Sequence, residues 1–513
     1  IMSIVISGRS TTHLKIFATR KLARMHRRFR DWIRPWNWST RRWVIAVLAT
    51  ILVSPFLTRW YCLWQVPDVA LPFNETEFLS IEDVAEEDDA FVEYQAAVRT
   101  FTANRSKWMI NQSAAGDPWN SVDEALKHPD QPRDPKLDEW VRVNSVTLDH
   151  YRRGGEKPRA RGPSLRSMDF ETTLEPHSYL RRLARLARVQ SLMCEEEDEI
   201  NTAWQWLEAI LQSARHAEAT RIDVCRSIGI GIRAHACQGI IHWSKSSLVT
   251  AHQLRFARKE LQAEAARRTS RSECSKGEYL CCRNSLLRKD ASDYLLPAWN
   301  HGIAANPAWL PLKRIGLWFL GQPEGLLRVQ RQLLVNNGLA IDLPLSQRAA
   351  AVPCDAALVL KVADERVRGQ MKPEALARVL DGSSWRVEGS SLSVSRRHLD
   401  ESIHRDDARL FALIVVLACQ EYYRDHAEFP VVIEDLIPSY LDAIPSDPML
   451  LAVVPMRYRR NPDGNAVVGS VDENGIDDNN VATVLDRLTK DVGYLISKPS
   501  QRIPSALAPS NFP

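Results

Sequence analysis

Hydrophobic residues follow three successive patterns along the chain. The first pattern is continuous: no charge occurs from Trp43 to Thr58, and nine of these sixteen residues are Val, Ile, Leu or Phe. At roughly −0.3 to −0.6 kcal/mol each, those nine favour membrane insertion by about 3–5 kcal/mol. Sixteen residues at about 1.5 Å each fall short of a hydrocarbon core of about 30 Å. Continuing through Trp60, Tyr61 and Trp64 supplies the missing length, with Arg59 placed to snorkel to the interface. Trp43 at one end and Trp60, Tyr61 and Trp64 at the other read as an aromatic belt.

The second pattern is helical and dominates from about residue 88 to 380. One helix is expected from Asp138 to Arg153, ended by Gly154-Gly155. A clearer one runs from Tyr179 to Met193, with Leu183, Leu186, Val189 and Met193 on one line and Arg181, Arg182, Arg185 and Arg188 on the other side. The acidic run Glu195 to Glu199 interrupts it, and Asn201 is a candidate cap for a return helix, Thr202 to His216. A third helix at about 220–243 carries the cleanest stripe: Ile222, Cys225, Gly229, Ile232, Ala236, Gly239 and Trp243. Steps of three and four put these seven on one face, and the small members predict close approach of a partner helix.

The third pattern begins near 385. Ser-rich residues 389–395 read as a short strand or loop, then the apolar run Leu410 to Cys419 lies in a helix from about Asp406 to His426. Asn461-Pro462-Asp463-Gly464 reads as a hairpin turn between strands near 456–460 and 465–470. Beyond Tyr494 the Pro- and Ser-rich tail lacks the apolar residues needed to pack.

Charge adds an orientation. The 513 residues carry a net charge of +4, too even for a chain that binds nucleic acid over its surface, and none is expected as a partner. Residues 1–42 nevertheless hold eleven basic side chains against one acid, Asp31. A basic arm before an apolar span predicts a cytoplasmic amino terminus, with everything after residue 66 outside. No small-x-small cleavage site occurs in 57–70, so the span reads as a retained anchor in the cell membrane. Residues 68–89, rich in Asp and Glu, read as a solvated stalk.

Candidate chemistry is sparse. The nine cysteines show no CxxC spacing; they read either as buried apolar residues or, for Cys274 with Cys281 or Cys282, as a local disulfide. Gly229-Ile230-Gly231-Ile232-Arg233-Ala234 matches a dinucleotide fingerprint in letters, but no β-rich run precedes it. His404-Arg405-Asp406 matches a kinase triplet, but Phe411 stands where the kinase asparagine belongs. His235 and His242 are seven apart on one helix, a spacing that suits structural histidines better than metal ligands.

Two resemblances extend this reading. Asp138-Glu139-Trp140 to Arg153, Tyr179 to Leu186, and Ala209 to Thr220 are similar to stretches of signal-anchored bacterial membrane proteins that carry no assigned activity. Phe429-Pro430, Tyr440-Leu441, Ile444-Pro445-Ser446-Asp447-Pro448 and the acidic run 470–478 follow the 406–426 helix in an order that resembles the globular end of major pseudopilins of type II secretion. That resemblance implies a small antiparallel sheet and an acidic glycine loop that binds calcium. Its ligands would be the Val471 carbonyl, Asn474, Asp477 and Asp478, with Asp472 added. Asn474 stands where the family has Asp, and Met449-Leu450 replace the usual Trp-Gly. The anchor also lies some 340 residues upstream with no processing site before it, so a standard pilus subunit is not expected.

The expected fold is mainly α: a single transmembrane helix, an extracytoplasmic body of helical hairpins, and a small α+β pseudopilin-like carboxy-terminal domain. Its parts would be a basic arm (1–42), anchor (43–66), acidic stalk (67–87), helical body (88–385), pseudopilin-like module (386–485) and tail (486–513). With no catalytic motif present, the leading expectation is an envelope scaffold that acts through protein partners, linked to secretion or envelope assembly. The alternative is an envelope hydrolase with its site in the helical body.

Overall fold

A computed structural model describes residues 38–64, 68–111, 118–288, 323–338, 392–450, 453–470 and 492–499, with positions 315, 316, 318, 319 and 342. The chain is mainly helical with one small sheet, and it divides into two compact units, residues 1–66 with 310–325 and residues 67–309 with 326–513.

The described part of the first unit is built on helix α1, Trp38–Trp64. Arg42–Tyr61 has mean hydropathy 1.6 and no part of it is buried, so it is long and apolar enough to cross a membrane. Pro55 removes one donor from the helix ladder, and Ser54 Oγ donates instead to the freed Ile51 carbonyl at 3.5 Å. Thr50 and Thr58 likewise return their hydroxyls to the carbonyls of Ala46 and Ser54. The Arg59 guanidinium pairs with Glu324 at 2.7 Å and lies 4.5 Å from the Trp318 ring centre.

In the second unit, α2 (Glu75–Ser80) is capped by Asn74. The acidic segment 68–89, expected as a solvated stalk, makes contacts with the body. Phe78 and Leu79 are buried with Ile222, Cys225, Tyr279 and Leu280, and Glu82 accepts from Ser164 Oγ and the Leu165 amide. Glu75 also pairs with Arg283 at 2.6 Å, so acids as well as apolar residues of the segment dock on the body.

The body continues through α3 (Ala90–Asn111), α4 (Pro118–Lys127), α5 (Pro135–Val143) and α6 (Ser145–Glu156). The single helix expected over 138–153 is two. Asp134 caps α5 and Pro135 opens it, while Asn144 breaks it by donating its side-chain amide to the Trp140 carbonyl at 2.9 Å. Gly154 and Gly155 do not end α6 but lie inside it, where a Cβ on Gly155 would sit 3.0 Å from the Ala209 Cα.

Helices α7 (Glu175–Glu196), α8 (Ile200–Glu218) and α9 (Asp223–Ser244) form the centre. Asn201 is not the cap of α8, which starts one residue earlier after Glu199. All seven stripe residues of α9 are buried. Gly229 carries the expected close approach: a Cβ there would lie 2.8 Å from the Ala214 carbonyl of α8. Gly229→Val should therefore destabilise the body by about 1–3 kcal/mol through overpacking against backbone. A urea midpoint shift of that size in the full-length protein checks this, and an unchanged midpoint would refute the close approach.

Helices α10 (Ala251–Arg267) and α11 (Arg271–Leu287) follow, each with a side-chain amino-terminal cap, from Thr250 and Ser270. Helix α12 (Glu324–Gly338) follows in turn, and its Arg331 pairs with Asp68 at 2.7 Å. The long α13, Leu392–His426, begins within the Ser-rich segment, so residues 392–395 are helical rather than strand or loop.

Strands β1 (Arg457–Arg460), β2 (Ala466–Ser470) and β3 (Val492–Ile496) make one antiparallel sheet in that order. The expected hairpin is present, with Gly464 at φ +80° in its turn. Helix α13 packs on α9 and α10 on one side and on β2 and β3 on the other, and one hydrophobic core runs from Phe91 through Ile232 to Leu413 and Val468.

Candidate functional site

The centre of the helical body holds charge. Arg233 on α9 is fully buried and donates to Asp406 of α13 at 2.7 Å and to Glu218 of α8 at 3.0 Å. Glu264 of α10 lies 3.5 Å from the same guanidinium and pairs with Arg215 at 3.2 Å. Arg268 adds a 2.6 Å bond to Asp406 and pairs with Asp407. Four helices, α8, α9, α10 and α13, thus meet at one ionic cluster, with Arg268 just past the end of α10. The flanking arginines hold the Asp406 carboxyl below the ordinary range against the opposing effect of burial, while burial pushes Asp407 up. A second tie lies further along α13, where buried Glu421 binds Arg255 at 2.6 Å and Arg258 at 3.1 Å. The kinase-like triplet is resolved here: Asp406 is a buried counter-ion, not a catalytic base. The glycine-rich letters at 229–234 lie within α9, where they serve helix packing.

Next to this cluster opens a groove of about 440 Å³ between the end of α6 and one side of α8. Arg152, Glu156 and Lys157 line one wall; Gln205, Glu208, Gln212 and Arg215 line the other. Burial and the neighbouring Glu260 raise the Glu208 carboxyl above its usual range. Arg215 joins the groove to the ionic cluster through Glu264. Alternating cations, carboxylates and amides suit a polar, hydrogen-bonding guest. No hydroxyl, thiol or imidazole lines the groove, so it has no Ser, Thr, Cys or His to serve as nucleophile or imidazole base.

Two buried aromatic–polar pairs tie the neighbouring helices together. The Tyr94 hydroxyl meets His216 Nδ1 at 2.8 Å, and the Tyr151 hydroxyl meets Ser213 Oγ at 2.5 Å. Burial drives His216 down to about 3 and His177, against Phe91 of α3, down to about 4.

The two histidines singled out by sequence part company. His235 is pushed down to about 4, first by burial and then by Arg185, Arg181 and Arg188. His242 meets Glu195 of α7 at 2.7 Å through Nδ1 and Asp130 at 3.2 Å through Nε2, and these carboxylates raise it against burial. Glu195 in turn pairs with buried Arg188 at 3.2 Å. The basic face and the acidic run of α7 therefore neutralise each other in part. Ser191, the hydroxyl that donates to Glu195, is fully buried.

Among the described residues no group of three or more His, Cys, Asp or Glu is placed to hold a metal ion. The calcium loop expected from Val471, Asp472, Asn474, Asp477 and Asp478 lies outside the described residues. Ser470 and Val492, on either side of residues 471–491, pair across β2 and β3, and Asp447 of the Ile-Pro-Ser-Asp-Pro turn accepts from Ser470 Oγ at 2.6 Å. Among the described residues Cys194, Cys225, Cys237, Cys274, Cys281, Cys282 and Cys419 are free thiols, so neither Cys274–Cys281 nor Cys274–Cys282 is bonded. Burial raises Cys274, Cys281 and Cys237 to about 12, which removes thiolate chemistry at neutral pH.

Compared with family models, curated proteins and solved structures, the chain matches none. Sequence reasoning missed the ionic cluster entirely. Its members come from residues 215 to 407, and the local trace is Arg233 set beside the Gly229, Ile232 and Ala236 stripe of α9.

Proposed function

We propose that this protein is a single-pass membrane-tethered scaffold of the cell envelope that works by binding protein partners on the extracytoplasmic side. The observation that carries the reading is α1: Arg42–Tyr61 is apolar, fully unburied and preceded by the basic arm, which together suit a retained anchor with its amino terminus in the cytoplasm. The groove between α6 and α8 suits recognition of a polar guest, because it offers fixed charges and amides and no Ser, Thr, Cys or His side chain. The order of α13, the Ile-Pro-Ser-Asp-Pro turn and the sheet keeps the resemblance to the pseudopilin globular end as the reason to look for partners in secretion or envelope assembly. In the same reading the 471–478 loop is a calcium candidate.

Limited proteolysis of intact spheroplasts tests the topology with the full chain. External protease should digest epitopes in the body while an amino-terminal epitope stays protected and in the carbonate-resistant membrane pellet. Protection of both ends, or release of the chain by carbonate, would refute the tether. Crosslinking in the same membranes then asks which proteins the body touches.

A further inference from the structure

We propose that the short segment containing Ile315, Trp318 and Phe319 is a second membrane contact, an aromatic patch seated in the headgroup layer beside the outer end of α1. The inference rests on the reading of α1 as a membrane span. Within the first compact unit, Trp318 and Phe319 pack edge-on against Phe56 of α1, with ring centres 5.8 and 6.3 Å apart. The Trp318 carbonyl accepts from Arg59 Nη1 at 2.6 Å, and its ring lies under the same guanidinium at 4.5 Å. Glu324 supplies the counter-charge at 2.7 Å.

These contacts fix a depth. Phe56 and Arg59 lie within about two turns of Trp60, Tyr61 and Trp64, the residues that mark one end of the span. A segment touching Phe56 and Arg59 therefore meets α1 at the level of that aromatic belt. Arg59 is the one cation after Arg42 in the spanning stretch, and a charge there is costly unless it is paired or reaches the interface. The return segment pairs it, through a carboxylate and an aromatic face, so the two pieces of chain belong at one depth.

The outward side of the patch shows what covers it. Ile315 is 51% exposed and Trp318 is 42% exposed, although both are large and apolar. Their exposure is continuous with that of Phe56, Trp60 and Tyr61 on the anchor. Tryptophan is favoured where one end of the ring is apolar and the other wet, and the Trp318 face carrying Arg59 supplies the polar side. The occupant of this surface is therefore the lipid interface that α1 itself enters.

Site-directed photocrosslinking distinguishes this contact from the anchor. A photoreactive amino acid is placed in turn at 51, 315 and 146 of the full-length protein. Each variant is reconstituted into phosphatidylcholine–phosphatidylglycerol vesicles containing radiolabelled phospholipid. Position 51 reports the anchor, and Val146, exposed on α6, reports the body. Lipid adducts at 315 comparable with those at 51, and lost at 146, are expected. Labelling at 51 with position 315 no higher than 146, or a protein adduct at 315 in place of lipid, would overturn the second contact. Absence of lipid adducts at 51 would overturn the membrane reading itself.

Discussion

Replacing Arg233 with Met lowers the stability of the helical body by about 3–5 kcal/mol, because two fully buried carboxylates lose their shared cation. Glu218 and Asp406 are both 0% exposed, and a methionine of similar length fills the space without supplying a donor. Asp406 keeps Arg268, but Glu218 has no other arginine among its described ion pairs. The full-length protein in detergent, unfolded by urea, should show the loss as a reduced midpoint with little change in slope. A triple change, Arg233→Met with Glu218→Gln and Asp406→Asn, should recover much of it, since neutral partners leave no isolated charge. A single-variant loss under about 1 kcal/mol would mean that solvent reaches the cluster. The site also lies where α13 joins α8, α9 and α10, so loosening it should raise protease sensitivity around residues 392–426.

Acid weakens the fold between pH 6.5 and about 4. Three histidines are held below their ordinary value of 6.5: His177 and His235 at about 4, and His216 at about 3. As the pH falls through 6.5 the unfolded chain takes up protons that the folded chain refuses. Each ring held in this way costs about 1.4 kcal/mol per pH unit. His242 works in the opposite sense: its value is raised, so its stabilisation is full below 6.5 and is lost as the pH rises through its folded value. Among the histidines, one ring against three leaves a net loss on acidification, which the raised Asp407 and Glu208 carboxyls offset in part. Asp406 contributes only further down, since its lowered carboxyl stays ionised until the pH drops beneath 3.8. Near-ultraviolet dichroism from pH 8 to 4 should show an unfolding step that moves to lower pH in His177→Gln and in His216→Gln. Identical midpoints in both variants and the parent would exclude the histidines as its cause.

Much of the helix content was legible, and for local reasons. The α9 stripe at Ile222, Cys225, Gly229, Ile232, Ala236, Gly239 and Trp243 is a periodic signal, and periodicity survives whatever the neighbours are. The hairpin at 461–464 is set by residues that turn the chain on their own account. Other elements were misread where a polar side chain competes with the helix ladder. Asn144 splits one expected helix into two by bonding the Trp140 carbonyl, and Gly154-Gly155, read as a stop, allow Ala209 to come close. The acidic 68–89 segment reads as solvated by its average, whereas Phe78, Leu79 and Glu82 dock it.

Sequence by itself therefore determined the apolar span, its basic flank, the helical periodicity of the body and the turn of the hairpin. Each is a property of neighbours within about two turns of chain, where sterics and transfer energies act without help from elsewhere. Only the tertiary structure decided that Arg233, Glu218, Glu264 and Asp406 meet, that Arg59 is neutralised by Glu324, and that α13 shares one core with the body. Those outcomes depend on buried charges finding partners many residues away. Burial makes such pairing obligatory, but no local pattern names the partner.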